Sequence, residues 1–456
     1  MTFDVAIIGA GVVGCAIFRR LCLGGVRTAL LERGADILSG ASKGNSAMLH
    51  TGYDGTADSL ELACVRAGYA EYMEIHRELN LPLLETGGLL VAWSEAEAAR
   101  LPAILADAKR NGLADVHAID AAELRRREPH LGPDALAAVV IPSEHIIDPW
   151  SPSLAYVLQG IAHGGEVRRR CTVTGGDRTG AGWRLVTSSG PLETAVVVNA
   201  AGNYGDLVEA IARPSPFHVK PRKGQFVVFD KPAARLIRSS ILPVPTERTK
   251  GVMVVRTAFG NLIVGPTAED QEDRAEAAVD EAQLRALIEA GIRKLPALVG
   301  ETVTATYAGL RPATQFKDYQ IEALPDRAWI TVAGIRSTGL TGSLGIARHV
   351  AGLYSQHFGG LADNPQPIWT PVPNLAEHLP RPYQQPGYGE IVCHCELVTR
   401  AEIAAALAGP LPAGDLGGLK RRTRCMMGRC QGFYCSARVA ELAAGRLPDL
   451  PLRSAA

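Results

Sequence analysis

The 456-residue sequence carries no net charge, with 47 Lys and Arg against 47 Asp and Glu. A chain without a basic excess has no bulk electrostatic reason to bind nucleic acid, so no such partner is expected. It also lacks an uninterrupted apolar run of about 20 residues, the length a bilayer-spanning helix needs, and no transmembrane segment is expected. Its first residues, MTFDVAIIGAG, contain no Lys or Arg and lead directly into a glycine turn, unlike a secretory leader. A cytoplasmic location is the resulting expectation, and in that compartment disulfides are rare. What remains is 47% hydrophobic and 21% charged, an ordinary globular composition with room for two or three domains.

The nine cysteines are unevenly spread. Cys15, Cys22, Cys64 and Cys171 sit singly among apolar or helical residues and read as small packing residues. Cys393, Cys395, Cys425, Cys430 and Cys435 are crowded near the other end, as IVCHCE and RCMMGRCQGFYC. Zinc usually takes C-x₂₋₄-C knuckles in pairs, whereas this pattern is C-x-C followed by C-x₄-C-x₄-C. Disulfides are disfavoured by the expected compartment. Thiolates around an iron–sulfur core carry net negative charge, which Lys420, Arg421, Arg422, Arg424 and Arg429 are placed to offset.

At the front, VAIIGAGVVGCAIFRRLCLGG is an apolar strand, a glycine turn and a helix-period segment. Gly9, Gly11 and Gly14 form G-x-G-x-x-G: one glycine for the turn, one for close approach to a pyrophosphate, one for helix–strand packing. A second strand, RTALLERG, ends in Glu32, an acid positioned for a ribose hydroxyl pair. Val13 and Arg33, beside these motifs, are further candidate cofactor contacts. Order and spacing predict a dinucleotide and leave FAD and NAD open.

Four segments in sequence order resemble the D-amino-acid-oxidase-like flavoprotein superfamily. LSGASKGNSAMLHTGYD resembles its Ser/Asn-rich pyrophosphate loop, and through it Ser42, Asn45 and Ser46 are implied as FAD contacts. HGGEVRRRCTVTG resembles the strand whose backbone touches adenine, implying Val167, and AVVVNAAGNYGD the strand and turn at Ala201 and Gly202. WITVAGIRSTGLTGSLGIARHVAGL reads as strand, glycine turn and helix. Its Gly339, Leu340 and Thr341 are implied at the flavin's pyrimidine edge, where a helix N-terminus favours negative charge. His50, in MLHTG, resembles the histidine over the flavin in the dehydrogenases of this superfamily. A neutral imidazole there can take the proton of an alcohol substrate. Arg311, in AGLRP, resembles the arginine that grips an anionic substrate, and Arg336, in GIRSTGLT, is a second anion-binding candidate. His145 and His218 read as packing residues, and Lys223 as either a pocket residue or part of a charged turn.

After the helix GIARHVAGLYSQHF a Pro-rich stretch reads as an extended linker along the first domain. Then come a short strand, the C-x-C, a Thr-capped helix with Glu402 at the capping-box position, a basic turn and a last helix, SARVAELAAG. This pattern resembles the bacterioferritin-associated-ferredoxin-like [2Fe–2S] domain, in the variant fused to large subunits of anaerobic glycerol-3-phosphate dehydrogenase. The resemblance implies Cys393, Cys395, Cys430 and Cys435 as ligands and leaves Cys425 a spare thiol of unassigned role. Across the chain it implies an α/β FAD-binding Rossmann-like domain of the glutathione-reductase/D-amino-acid-oxidase type over 1–360. An α+β substrate subdomain lies within it, roughly 81–150 and 217–312, followed by a linker at 361–388 and a small helical [2Fe–2S] domain at 389–456.

The implied activity is oxidation of glycerol 3-phosphate or a related polyol phosphate by hydride transfer to flavin. Electrons then leave through the [2Fe–2S] centre to a partner subunit or quinone, peripheral to the inner membrane through that partner. The loop KGNSAMLHTGYDG departs from the family: Asn45, Ser46, Tyr53 and Asp54 stand where Arg and His are usual. An acid at Asp54, if it faces the pocket, disfavours a dianion. A 2-hydroxy acid such as 2-hydroxyglutarate is therefore the alternative substrate, an amine or opine a further one, and an electron-relay subunit the non-catalytic reading.

Overall fold

The computed structural model describes residues 2–245, 251–364 and 366–448. Strand β1 (Thr2–Ile8) alternates at its start and then runs fully buried, as a strand covered on both faces must. It lies parallel between β2 (Thr28–Leu31) and the strand Leu192–Asn199, with Ile8 level with both Leu31 and Asn199. Glu166–Arg168 and Trp329–Ala333 extend the parallel core on either side, and antiparallel strands at Val173–Thr179, Gly182–Thr187 and Gln320–Leu324 complete eight strands. Trp329 is fully buried, a placement worth about 3 kcal/mol of apolar transfer.

Helix α1 (Val12–Leu23) follows the glycine turn and is buried along most of its length. A Cβ on Gly14 would lie 1.9 Å from the Gly9 carbonyl oxygen, so only glycine permits this helix to sit against the strand end. Helix α2 (Leu60–Ile75) crosses the long helix Gly339–His357 equally closely. A Cβ on Gly68 would lie 2.1 Å from the Thr341 carbonyl oxygen, and one on Gly345 2.0 Å from that of Cys64.

Two stretches far apart in the chain meet in a nine-stranded sheet. Gly88–Ala92 pairs antiparallel with Ala137–Ile141 and parallel with Ser240–Pro243, which continues into the meander through Met253–Arg256 and Leu262–Gly265. Strands Arg222–Phe229 and Val303–Arg311 pair so that Arg222 stands opposite Arg311. A smaller three-stranded sheet joins β3 (Met48–Leu49), Leu83–Leu84 and His145–Ile147. Its register sets Met48 against Ile146 and Leu49 against His145.

The described part of 361–388 forms neither strand nor α-helix. It is tied down along the first domain: Ala362 N donates to Gly24 O at 2.9 Å, Val372 N to Leu79 O at 3.1 Å, and Glu377 N to Ala258 O at 2.9 Å. The cysteine-bearing region has its own core of Val392, Val398, Ile403, Leu419 and Val439. Thr399 and Glu402 form a reciprocal capping box at the start of the helix Arg400–Ala406. The segment that reads as a basic turn is a helix, Leu416–Thr423, capped by Asp415 and ended by Arg424 at φ 66°. Its two adjacent glycines weaken the helix signal, while the Lys and Arg of its last turn suit a helix C-terminus. Residues 449–456 of the expected last domain lie outside the described residues.

The basic residues of this region are turned largely toward carboxylates, not held in reserve for the cysteines. Arg422 and Arg429 reach Asp36 and Asp230 of the first domain, and Arg424 bonds Glu396 at 2.8 Å. Among the described residues no helix is long and apolar enough to cross a membrane.

Candidate active site

A cavity of about 820 Å³ opens at the carboxyl ends of the parallel strands, where an open α/β sheet places its ligand. Its wall at one end is the glycine turn with Gly9, Gly11 and Val13, the acid Glu32, Arg33, and the turn at Ala201 and Gly202. Glu32 is anchored by accepting from the Ala10 amide at 2.9 Å and the Gly34 amide at 2.7 Å. Arg33 lies over the Tyr204 ring, 3.7 Å from its centroid. Ser42 Oγ accepts from the Val12 amide at 3.0 Å, so the loop of Ser42, Asn45 and Ser46 folds over the start of α1. These residues, the glycine cradle and the cavity size fit a dinucleotide with space beyond it for a small substrate.

Gly14, Val167 and Thr341 are not on this wall. Gly14 packs the helix onto the turn, and Val167 belongs to the strand beside β2; Cys171 to Thr174 line the cavity instead. Thr341 Oγ1 accepts from the His50 amide at 2.9 Å and donates to the Met48 carbonyl at 3.2 Å. Gly339 and Leu340, at the start of the same helix, do line the cavity.

His50, Arg311 and Arg336 also line the cavity. Arg311 has carbonyl partners only, Lys223 O at 3.5 Å and Thr267 O at 3.4 Å, and no carboxylate among the described residues. Burial, with Arg222 alongside, pushes its guanidinium down to about 10. Arg222 itself is held by Asp270 at 2.7 Å, and Arg274 is bridged to Asp206. Arg336 donates to the carbonyls of Thr314 and Phe316. Asp54 does face the cavity. Lys223 is not among its lining residues and lies 3.6 Å from Glu269.

His50 Nδ1 stands 3.2 Å from Glu144 Oε2. In SEHIIDP the residue that draws notice from sequence is His145, not its neighbour Glu144. No local motif marks Glu144, because its partner lies 94 positions away. His145 is buried and stacked on Tyr69, with burial pushing its pKa down. His218 is corrected: it is largely exposed, with Nδ1 3.2 Å from Asp206 Oδ2, because it lies on a surface loop and not in a core.

The cysteines form two pairs. The thiols of Cys395 and Cys430 are neighbours, and so are those of Cys393 and Cys435. Among the described residues no three His, Cys, Asp or Glu converge as for a single metal ion. Neighbouring thiols of this kind suit a binuclear centre with two ligands on each metal. Cys425 is fully buried, and burial raises its thiol to about 11.

Comparison with known proteins agrees with both halves of this geometry. Residues 4–353 match the family described as FAD dependent oxidoreductase, and residues 391–444 match the BFD-like [2Fe-2S] binding domain. The glycerol 3-phosphate dehydrogenase of Caloramator mitchellensis is 30% identical over 98% of this chain and 94% of that protein. One component of the anaerobic glycerol-3-phosphate dehydrogenase of Escherichia coli K12 is 26% identical over 96% of this chain and 87% of that protein. The FAD-bound structure of dithionite-reduced L-α-glycerophosphate oxidase from Mycoplasma pneumoniae superposes with a TM-score of 0.74 at 26% identity. That match covers 82% of this chain and all of the other.

Proposed function

Because the chain belongs to the FAD-dependent oxidoreductase family and carries a BFD-like [2Fe–2S] domain behind it, we propose that it is a dehydrogenase for a small anionic secondary alcohol, glycerol 3-phosphate or a related polyol phosphate. The observation that carries this reading is Arg311, a half-buried guanidinium on the cavity wall with no carboxylate partner among the described residues. A desolvated, unpaired cation is costly, and a phosphate or carboxylate entering the cavity offsets that cost through paired, charge-assisted hydrogen bonds. Arg336 supplies a second cationic donor on the cavity wall. The relatives that span both domains are named for glycerol 3-phosphate, which puts the polyol phosphate ahead of a 2-hydroxy acid.

The residues for FAD are Gly9, Gly11, Val13, Glu32, Arg33, Ser42, Asn45, Ser46, Ala201, Gly202, Gly339 and Leu340. Those for the cluster are Cys393 with Cys435 and Cys395 with Cys430. Bound FAD supplies a hydride acceptor and a [2Fe–2S] centre a one-electron exit, a combination suited to a dehydrogenase with a protein partner or quinone as acceptor. Arg311 binds and orients the substrate anion, and His50, on the same cavity wall, takes the hydroxyl proton. Partner docking is also the route by which the chain would reside at a membrane surface.

The test is anaerobic mixing of the holoprotein with glycerol 3-phosphate, 2-hydroxyglutarate and N-substituted amino acids, with flavin bleaching as the readout. Fast bleaching by the polyol phosphate is expected. Bleaching by the hydroxy acid or the amine alone would replace this substrate.

A further inference from the structure

The pairing of β3 with His145–Ile147 places Met48 opposite Ile146 and Leu49 opposite His145. One step further along the same antiparallel register lies His50 opposite Glu144. The contact between them is therefore built by strand pairing and does not depend on a chance loop conformation. Glu144 is fully buried, in the turn between Ala137–Ile141 and His145–Ile147. No Lys or Arg among the described residues is ion-paired with it. Its Oε1 accepts from the Thr51 amide and the Thr51 hydroxyl, each at 2.7 Å, and its Oε2 faces His50 Nδ1 at 3.2 Å.

A buried carboxylate without a cation is stable only where donors surround it. Three donors converge here if, and only if, His50 carries its proton on Nδ1. The nitrogen left for the cavity is then Nε2, with a free lone pair and no partner among the described residues. The backbone is held as well, since the His50 amide is fixed on Thr341 Oγ1.

We propose that Glu144 is a positioning residue for His50: it holds the neutral imidazole as the Nδ1–H tautomer and aims Nε2 at the substrate hydroxyl. The inference rests on the reading of His50 as the base. In the step it serves, the substrate O–H bond breaks and an N–H bond forms at Nε2. The loss of that proton, with a hydride to the cofactor, balances the conversion of alcohol to carbonyl. Carboxylates orient imidazoles this way in hydrolytic triads, where replacing the carboxylate by an amide leaves the wrong tautomer. In Glu144→Gln the single oxygen can serve the two Thr51 donors while the amide N–H₂ turns toward His50. The ring proton is then displaced to Nε2, and the hydroxyl has no acceptor.

Holoprotein labelled with ¹⁵N-histidine provides a readout independent of turnover, with the His50 signals assigned by their loss in His50→Gln. The wild type is expected to show protonated Nδ1 and bare Nε2 for the neutral ring, and Glu144→Gln the reverse. Stopped-flow flavin reduction by glycerol 3-phosphate should slow by about 10²-fold or more in Glu144→Gln. Its apparent substrate constant should move less than about 3-fold, because anion binding rests on Arg311. Glu144→Asp should keep the Nδ1–H tautomer and recover part of the rate. A wild-type ring protonated on Nε2 overturns the proposal with no variant required, so a poorly folding variant does not shelter it. A Glu144→Gln protein with unchanged tautomer and rate overturns it too. If the tautomer reverses as expected but no alcohol bleaches the wild type, the dyad stands and the substrate reading fails.

Discussion

Arg422 and Asp36 join the two domains through a buried, two-pronged ion pair: Nη1 meets Oδ2 at 2.5 Å and Nη2 meets Oδ1 at 2.8 Å. Burial alone would raise the Asp36 carboxyl, but Arg422, with the Gly414 amide and Arg421, outweighs it and holds the pKa below its ordinary 3.8. Asp36 lies just after Glu32 on the chain, so the clasp fixes the cysteine domain beside the dinucleotide end of the cavity. Arg421 bonds the Ile37 carbonyl at 3.0 Å on the same segment.

The sign of the Asp36 shift gives a pH prediction. A depressed native pKa contributes stability that is present above the unfolded value and lost as pH falls through the native one. Protection of the Leu416–Thr423 helix against hydrogen exchange should thus be constant near neutrality and fall only below about pH 4. Asp36→Asn leaves Arg422 buried without a counter-charge, at a cost of about 3–5 kcal/mol, and should abolish that protection at neutral pH.

Arg311→Ala should raise the apparent constant for an anionic substrate by roughly 30- to 1,000-fold, the effect of removing one partner of a desolvated charge pair. Photoreduction of the bound flavin should be unchanged. Anaerobic titration measures the first and lamp irradiation with an electron donor the second; a parallel change in both would make Arg311 structural.

Cys430→Ser should remove iron and the long-wavelength visible absorption while the flavin remains. Cys425→Ala should retain both, because Cys425 belongs to neither thiol pair. Iron analysis of anaerobically purified protein, with the visible spectrum, distinguishes the two variants. Loss of iron from Cys425→Ala would move Cys425 into the ligand set.

Gly345→Ala drives a methyl group into the Cys64 carbonyl, 2.0 Å away, where backbone meets backbone and neither can yield by a rotamer change. Overpacking of this kind costs about 1–3 kcal/mol, so the holoprotein should melt several degrees lower in a thermal scan. Gly352→Ala, with nothing within 4 Å, is the control on the same helix and should melt no lower than wild type.

Local chemistry made much of the architecture legible. An apolar strand, a G-x-G-x-x-G turn and a strand ending in Glu32 can be read without tertiary contacts, because each motif is a run of neighbouring residues with its own backbone demand. The capping box of Thr399 and Glu402 is legible for the same reason. The helix Leu416–Thr423 was not, because Gly417 and Gly418 argue against helix locally while Asp415 at one end and the contacts with Asp36 hold it in place.

Residue types and spacing, which are properties of the chain alone, pointed to the dinucleotide fold and the cysteine cluster, and resemblance to a flavoprotein superfamily added His50 and Arg311 as candidates. Only the tertiary structure decided which groups those residues meet. Glu144 reaches His50 through the register of two short strands, and among the described residues Arg311 has no carboxylate partner, with Asp270 held by Arg222. Val167 and Thr341 are not among the residues that line the cavity their motifs border. The reason is physical: motifs record what the adjacent backbone requires, whereas orientation, pairing and desolvation depend on side chains brought together across long stretches of sequence.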